Sequence, residues 1–494
     1  MMDQPNIVIF NPDQWRGDVL GHVGNPGAVT PHLDALVAKD GVSFSQAFCQ
    51  NTVCTPSRCS FMTGWYPHVR GHRTMFHMLQ PDEPMLLRTL KDNGYTVWWG
   101  GKNDVVPAQN GLEAYCNVHY QPHNILPMWD LEPEQKWRGA PDNPRYHSFY
   151  CGIIEIADDQ DRYYDSDWAN VEGAMDWLKA RDSAAGPFCL YLALTYPHPP
   201  YAVEAQWRRE IDPDRVPERR PTPSDWTGKS RMMQAIFERQ HLQRMTEDEW
   251  KDLRAVYYAM CTRVDHQFGR LMQTLQDLGI YDNTAVFMFS DHGDFTGDYG
   301  LVEKAQNCME DSLTRVPLVI KPPSTYGIEP GVRSDLVELI DVAATIEAMT
   351  GIQPNHRHFG RSLLPMLMGQ SGVGRQAVFC EGGRLLDEPE AMERESTLGL
   401  SCPEDSLYWP RLGVQFEDGA AHSKAIMCRT ATHKYVHRLD GRHELYDLQE
   451  DPEEERNRIG DANFTATRQE MQDRVLKFLL ETGDVVRRPP DQRM

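Results

Sequence analysis

Asn6-Ile7-Val8-Ile9-Phe10-Asn11-Pro12-Asp13-Gln14 carries the first apolar run of the chain and ends it on an acid. Consecutive apolar residues, rather than alternating ones, predict a strand buried on both faces, as inside α/β layers. The run is short, lacks a basic flank and leads into Asp13, so it reads as a strand and not as a signal peptide. The same order returns at Ala285-Val286-Phe287-Met288-Phe289, followed by Ser290-Asp291-His292-Gly293-Asp294. Open α/β sheets carry functional groups just beyond the carboxyl ends of their strands. Asp13 and the pair Asp291-His292 are therefore expected side by side on one sheet.

Further strands are expected at Thr96–Trp99, Phe188–Thr195 and Val316–Ile320, interleaved with helical stretches. The clearest helix begins at Thr246-Glu247-Asp248-Glu249, which has the capping-box form. Trp250, Leu253, Tyr257, Met260, Val264, Phe268, Leu271, Leu275 and Leu278 follow at three- and four-residue steps, and Gly279 stands where a helix should stop. Residues 120–165 and 201–245 lack clean periodicity and read as binding loops or lids. After about residue 365 short strands are expected at Ala425–Cys428, Tyr435–His437 and Leu445–Tyr446, then a helix over Arg468–Leu480. A catalytic α/β domain over 1–370 and a C-terminal subdomain over 371–494 follow from this change of character, in a chain of 494 residues.

A formal charge of -22 with no basic stripe argues against nucleic acid as a partner. No stretch approaches the roughly 20 apolar residues that span a bilayer. The eleven cysteines have no framework spacing, which suits a reducing compartment, and the cytoplasm is the expected location.

Asp13 with Gln14, and Asp291 with His292, form an oxygen-rich set with one imidazole, suited to a hard divalent cation: Ca²⁺, Mg²⁺ or Mn²⁺. Cys49, Cys54 and Cys59 recur at five-residue steps, which does not match zinc spacing. Cys54 alone could be a buried thiol. Its context is more specific: Cys54-Thr55-Pro56-Ser57-Arg58, then Cys59-Ser60-Phe61-Met62-Thr63-Gly64 and Trp65-Tyr66-Pro67-His68.

Cys-x-Pro-Ser-Arg followed by x-x-x-x-Thr-Gly resembles the signature of the sulfatase family, in which the cysteine is oxidised after translation to formylglycine. Every fixed position of it is filled, by Cys54, Pro56, Ser57, Arg58, Thr63 and Gly64. Gly100-Gly101-Lys102, Tyr196-Pro197-His198, Ser290-Asp291-His292 through Lys304, and His433-Lys434-Tyr435 with Glu444-Leu445-Tyr446-Asp447-Leu448 resemble further blocks of that family. The resemblance implies an alkaline-phosphatase-like α/β core with a large mixed sheet between helices, and a smaller C-terminal α+β subdomain with an antiparallel sheet.

It also implies roles. One divalent metal, Ca²⁺ first among the candidates, would be held by Asp13, Gln14, Cys54, Asp291 and His292. The formylglycine from Cys54 would be the nucleophile, with Arg58, Lys102 and Lys304 around the anion and His198 or Lys304 serving the leaving alcohol. The substrate would be a small-molecule or saccharide sulfate ester. A formylglycine-generating or anaerobic maturation enzyme would be a partner, and a homo-oligomer is compatible with the sequence.

Two departures stand out. Asp13-Gln14 and Asp291-His292 replace the usual Asp-Asp and Asp-Asn, and resemble the phosphonate monoester hydrolase branch, so a phosphonate or phosphodiester substrate is the alternative. Lys102 is followed by Asn103-Asp104 rather than Trp-His, so Asp104 takes the place of a histidine and becomes the candidate base. His68 and His72 are candidate pocket residues, Asp294 and Asp298 turn or supporting residues, and Trp129, Trp137, Tyr146, His147, Arg384 and His422 candidates for holding a sugar or aryl ring.

Overall fold

The computed structural model describes residues 4–75, 77–126, 136–156, 160–182, 184–393 and 404–486. Trp129 lies outside them. The strands are β1 (Asn6–Asn11), β2 (Val42–Phe48), β3 (Thr96–Gly101), β4 (Val118–Tyr120), β5 (Tyr150–Ile154), β6 (Phe188–Ala193), β7 (Tyr201–Glu204) and β8 (Thr284–Phe289). They continue with β9 (Arg315–Val316), β10 (Leu318–Lys321), β11 (Gly331–Glu338), β12 (Val378–Gly382), β13 (Ala425–Arg429), β14 (His433–Arg438) and β15 (Glu444–Asp447).

A nine-stranded mixed sheet runs β11-β2-β10-β8-β1-β6-β3-β4, with β9 on β2. β1 lies between β6 and β8 and is parallel to both. Its continuous hydrophobicity has the expected cause, because both faces are covered. Val8 and Phe10 join one core with Leu190, Leu192, Val286 and Met288. Ile7 and Ile9 face the other core with Cys189, Tyr191, Ala285 and Phe287. The first core is closed by the helix Glu247–Asp277, whose capping box at Thr246 and Glu249 is formed. Its Leu253, Tyr257, Met260, Val264, Phe268, Leu271 and Leu275 are all buried in that core, and Phe268 meets Phe10 edge-on at 5.3 Å between ring centroids. Leu278 of the expected stripe is the exception, at the helix end and 37% exposed. The second core lies under the helices Cys54–Thr63, Leu86–Asp92 and Asp341–Thr350.

The structure redraws three sequence expectations. Val316–Ile320 is not one strand: Pro317, with no N–H to give, separates β9 on β2 from β10, which runs antiparallel to β8. β6 stops at Ala193, with Leu194 N–H still on Asn11 O at 3.0 Å, and Thr195 N–H turns to the Asp167 carboxylate. Within 201–245 lies the helix Arg231–Gln240, N-capped by Ser230 and burying Met232, Met233 and Ile236.

β12, β13, β14 and β15 form a four-stranded antiparallel sheet in chain order. The helix Thr465–Thr482 covers it, with Met471 and Val475 against Cys428, Tyr435 and Leu445. β5 and β7 pair separately, parallel. No helix among the described residues is long and apolar enough to cross a membrane.

Candidate active site

The loops after β1 and β8 and the start of the helix Cys54–Thr63 meet at one point. Asp13 follows β1, and Asn11 ties it to its neighbour by donating from Nδ2 to Phe289 O at 2.9 Å. Gln14 takes a left-handed backbone, φ 70, which turns its N–H onto Asp291 Oδ1 at 3.1 Å. Gly293 lets the Asp291 loop approach closely, since a Cβ there would stand 2.0 Å from Ser312 O. The helix Cys54–Thr63 is buried along its whole length and stops at Gly64, φ 72. Its positive N-terminal end carries Cys54 into the site, an arrangement that favours an anion there.

Ligand atoms of Asp13, Cys54, Asp291 and His292 all lie within 4.8 Å of one another and all four residues are buried. Cys54 Sγ is 3.2 Å from His292 Nε2 and 3.5 Å from Asp13 Oδ1. His292 Nδ1 lies 2.9 Å from Gly293 O, an acceptor only, so the proton belongs on Nδ1 and the Nε2 lone pair faces the cluster. The carboxylates are donors a hard divalent cation takes, and the histidine is oriented by its second nitrogen as metal-binding histidines usually are, whereas the thiol sulfur is too soft for such an ion. Gln14 is brought to the same place, but its amide is spent sideways. Oε1 accepts from Lys304 Nζ at 2.8 Å and Nε2 donates to Asp294 Oδ2 at 2.5 Å.

Cations ring the cluster. Arg58, fully buried, donates from Nε to Asp291 Oδ2 at 2.8 Å and from Nη2 to Asp13 Oδ2 at 3.1 Å. Its Nη1 donates to Tyr191 OH at 3.3 Å. Lys102 is aimed by Gly101, φ 96, where a Cβ would stand 2.0 Å from Ala193 O. Its Nζ lies 2.6 Å from Asp13 Oδ2 and 3.1 Å from Asp104 Oδ2. Lys102 and Asp104 keep 25% and 20% of their side chains exposed, so this is the open side of the site. On the other side Lys304 Nζ donates to His198 Nε2 at 2.8 Å, while His198 Nδ1 bonds Pro199 O at 2.5 Å.

Burial alone would push Asp13 up, but Lys102, with Arg58 and Lys304, outweighs it and holds its carboxyl well below the usual range. Asp104 is likewise lowered against burial, by Lys102 and Arg58. Burial, joined by the Asp13 charge, raises the Cys54 thiol. Burial and Lys304 hold His198 well below its ordinary value. Lys304 rises despite burial, drawn by Cys54, Glu303 and Asp13.

Other candidates go elsewhere. His68 is taken by Glu381 at 2.7 Å and by Thr482 O at 3.0 Å, and His72 by Glu83 at 2.9 Å and His77 O at 2.9 Å. Asp298 serves a buried cluster with Arg16 and Arg254, and Asp294 supports Gln14 while accepting from Tyr201 OH at 2.7 Å. His147 and Tyr146 pack against each other, His147 tilts toward Trp409, and Trp137 lies at the edge of the first core. Arg384 and His422 are buried, the one on backbone carbonyls and the other on Gln306. Tyr191, Glu303 and Arg411 were not singled out from sequence. Glu303 adjoins Lys304 in the chain, whereas nothing local marks Tyr191 or Arg411.

A family model described as Sulfatase matches residues 5–352. An ulvan-active sulfatase of Formosa agariphila is 26% identical over 97% of this chain and 82% of its own. Arylsulfatase K of Bos taurus is 25% identical over 92% of this chain and 78% of its own. Among solved structures, a phosphonate monoester hydrolase of Agrobacterium radiobacter superposes with a TM-score of 0.74 at 24% identity. That match covers 99% of this chain and 100% of that one.

Proposed function

The chain belongs to the sulfatase family of sulfuric ester hydrolases, and on that footing we propose that it hydrolyses sulfate monoesters with a formylglycine made from Cys54 and one divalent cation. The observation that carries this reading is the convergence of Cys54 with Asp13, Asp291 and His292 inside a ring of Arg58, Lys102 and Lys304. Asp13, Asp291, His292 and the residue at 54 would hold the cation, Ca²⁺ before Mn²⁺ or Mg²⁺, with the Gln14 amide oxygen beside them. When bound, such an ion supplies Lewis acidity and a template for the ester oxygens. With Cys54 converted, residue 54 would offer, as the hydrated aldehyde, one hydroxyl for attack at sulfur and a second whose deprotonation would return the aldehyde and free sulfate.

The chain's other residues do the rest. Arg58, Lys102 and Lys304 offer donors to the ester oxygens, where charge develops in the transition state. His198 gives its Nδ1 proton to a carbonyl, so its Nε2 accepts from Lys304. The proton that can reach the leaving alcohol therefore stands on Lys304 Nζ, with His198 orienting it. Asp104, ionised between Lys102 and Arg58, is the proposed base for the second hydroxyl.

The substrate is read as a small-molecule or saccharide sulfate, and the maturation enzyme that converts Cys54 as a partner. The cytoplasm is the location proposed, on the eleven cysteines without framework spacing. A second reading, a phosphonate monoester or phosphodiester hydrolase on the same nucleophile, is supported by His292 in the cluster and by Gln14 following Asp13, the two departures that resemble that branch.

Peptide mass spectrometry over residues 45–70 tests the nucleophile: formylglycine lowers the mass by about 18 Da, and Cys54→Ala should cost at least about three decades in rate. More than about a tenth of the activity in Cys54→Ala would refute it. Relative rates on para-nitrophenyl sulfate, phosphonate and phosphodiester separate the two readings.

A further inference from the structure

Lys304 has three N–H directions, and each meets a partner. Two are Gln14 Oε1 and His198 Nε2, both at 2.8 Å. The third is Glu303 Oε1 at 3.1 Å. Where the ammonium points is thus a balance between the site and a competing carboxylate. Glu303 cannot swing away easily. It is buried, has φ 66, donates its N–H to Tyr201 OH at 2.9 Å and accepts from Phe295 N at 3.0 Å.

The Glu303 carboxylate is shared. Arg411 Nη1 stands 3.2 Å from both of its oxygens, across 108 residues of chain. Arg411 lies on the helix Trp409–Glu417, in the C-terminal part, with 13% of its side chain exposed. It is gripped from behind by Glu393 Oε2, 3.2 Å from Nε. Glu393 is fixed in turn by Gln415, which accepts from its N–H and donates to its Oε2, each at 3.0 Å. Lys304, Glu303, Arg411 and Glu393 make a row of alternating sign that begins inside the catalytic site and runs through Arg411 into the C-terminal part.

We infer that Arg411 is a positioning residue for Lys304, acting through Glu303. This rests on the reading above, in which Lys304 protonates the leaving alcohol. With its charge shared by the guanidinium, Glu303 leaves the ammonium directed at His198 and the reacting oxygen. Without Arg411 the whole carboxylate charge faces Lys304 and draws the ammonium out of line. Misplacement of a proton donor costs most when the leaving alcohol is poor, because only then does the step depend on the proton.

The test uses the metal-loaded full-length enzyme with conversion of Cys54 measured, on para-nitrophenyl sulfate and on an alkyl sulfate. Arg411→Gln should lower kcat on the alkyl ester at least about tenfold more than on the aryl ester, with KM little changed. Because Glu303 and Glu393 lose a partner the melting temperature should fall, so the comparison is made at a temperature where the variant is fully folded. Arg411→Lys should recover most of the difference. Glu303→Gln removes the competing charge, so adding Arg411→Gln to it should cost nothing further. Equal losses on both esters, or additive losses in the double variant, would overturn the role. If the wild type prefers phosphonate esters, an aryl and alkyl pair of those gives the same comparison. A wild type inert on every ester refutes the proposed function itself. A wild type that is active, with a uniform loss in Arg411→Gln, refutes the positioning role alone.

Discussion

Replacing Arg58 by methionine separates the structural work of the guanidinium from its work on the anion. The side chain is fully buried and serves two carboxylates, Asp291 at 2.8 Å and Asp13 at 3.1 Å, with Tyr191 OH at 3.3 Å. Methionine keeps much of the volume but leaves both acids without their partner. Breaking a buried pair costs about 3–5 kcal/mol, and one guanidinium for two acids argues for the upper end. That is a large part of the ~5–15 kcal/mol that holds a typical domain. Because the loss is one of charge, a divalent cation between the same carboxylates should make it good. Cation at a hundred times its Kd stabilises by about 2.7 kcal/mol, and tenfold tighter binding, expected once the competing guanidinium is gone, adds about 1.4 kcal/mol. Urea midpoints of both proteins, in chelator and in millimolar Ca²⁺, give the four numbers needed. A variant within about 1 kcal/mol of wild type in chelator would refute the reasoning, as would a calcium shift no larger than that of the wild type.

Exhaustive chelation should abolish turnover and Ca²⁺ or Mn²⁺ restore it, while His292→Ala should weaken cation binding about 10-fold or more; full activity with no metal by elemental analysis would sink the ligand set. Burial pushes the Asp265 carboxyl up to about 7, even though it accepts from His32 and Leu33 N–H. A carboxyl raised in the folded state stabilises while protonated. Its contribution is therefore full below about pH 4 and is lost as pH rises to about 7, at about 1.4 kcal/mol per unit. Asp265→Asn should flatten stability over that window in denaturant titrations, and an unchanged slope would show that the group does not titrate there. Asp104→Asn should give a burst of alcohol and then slow turnover if Asp104 is the base for sulfate release, whereas slowing without a burst would assign it to holding Lys102.

What could be read in advance was whatever a few neighbouring residues encode. β1 and β8 were legible because apolar runs ending on acids need no distant information, and the helix from Thr246 because its cap and its stripe lie within the helix itself. Lys304 and His198 were legible only through their motif surroundings. β2 was missed although Val42-Ser43-Phe44 alternates, and β11 because Gly331-Val332-Arg333-Ser334-Asp335 is polar where it lies at the sheet edge. His68 lies near Cys54 in sequence, yet the turn after Gly64 carries it to Glu381 on β12, so nearness along the chain misled. Arg411 had no local mark. Its partner is 108 residues away, and only the fold brings the two together.

The charge at the site explains how a protein of net charge -22 can hold an anion at all. Asp13, Asp104, Asp291 and Glu303 face Arg58, Lys102, Lys304 and Arg411, four carboxylates against four cations. Each cation is already bonded to an acid or to Gln14, so the protein's own charges cancel and leave little net attraction for an ester. A divalent ion among Asp13, Asp291 and His292 would add two positive charges. It would also relieve Asp13 and Asp291 of part of their hold on Arg58 and Lys102, freeing donors for the ester oxygens. Binding of the anion should therefore depend on the cation far more steeply than a single added ligand would explain. The long-range repulsion of the acidic surface falls off over about 8 Å at physiological salt and is weak at this depth.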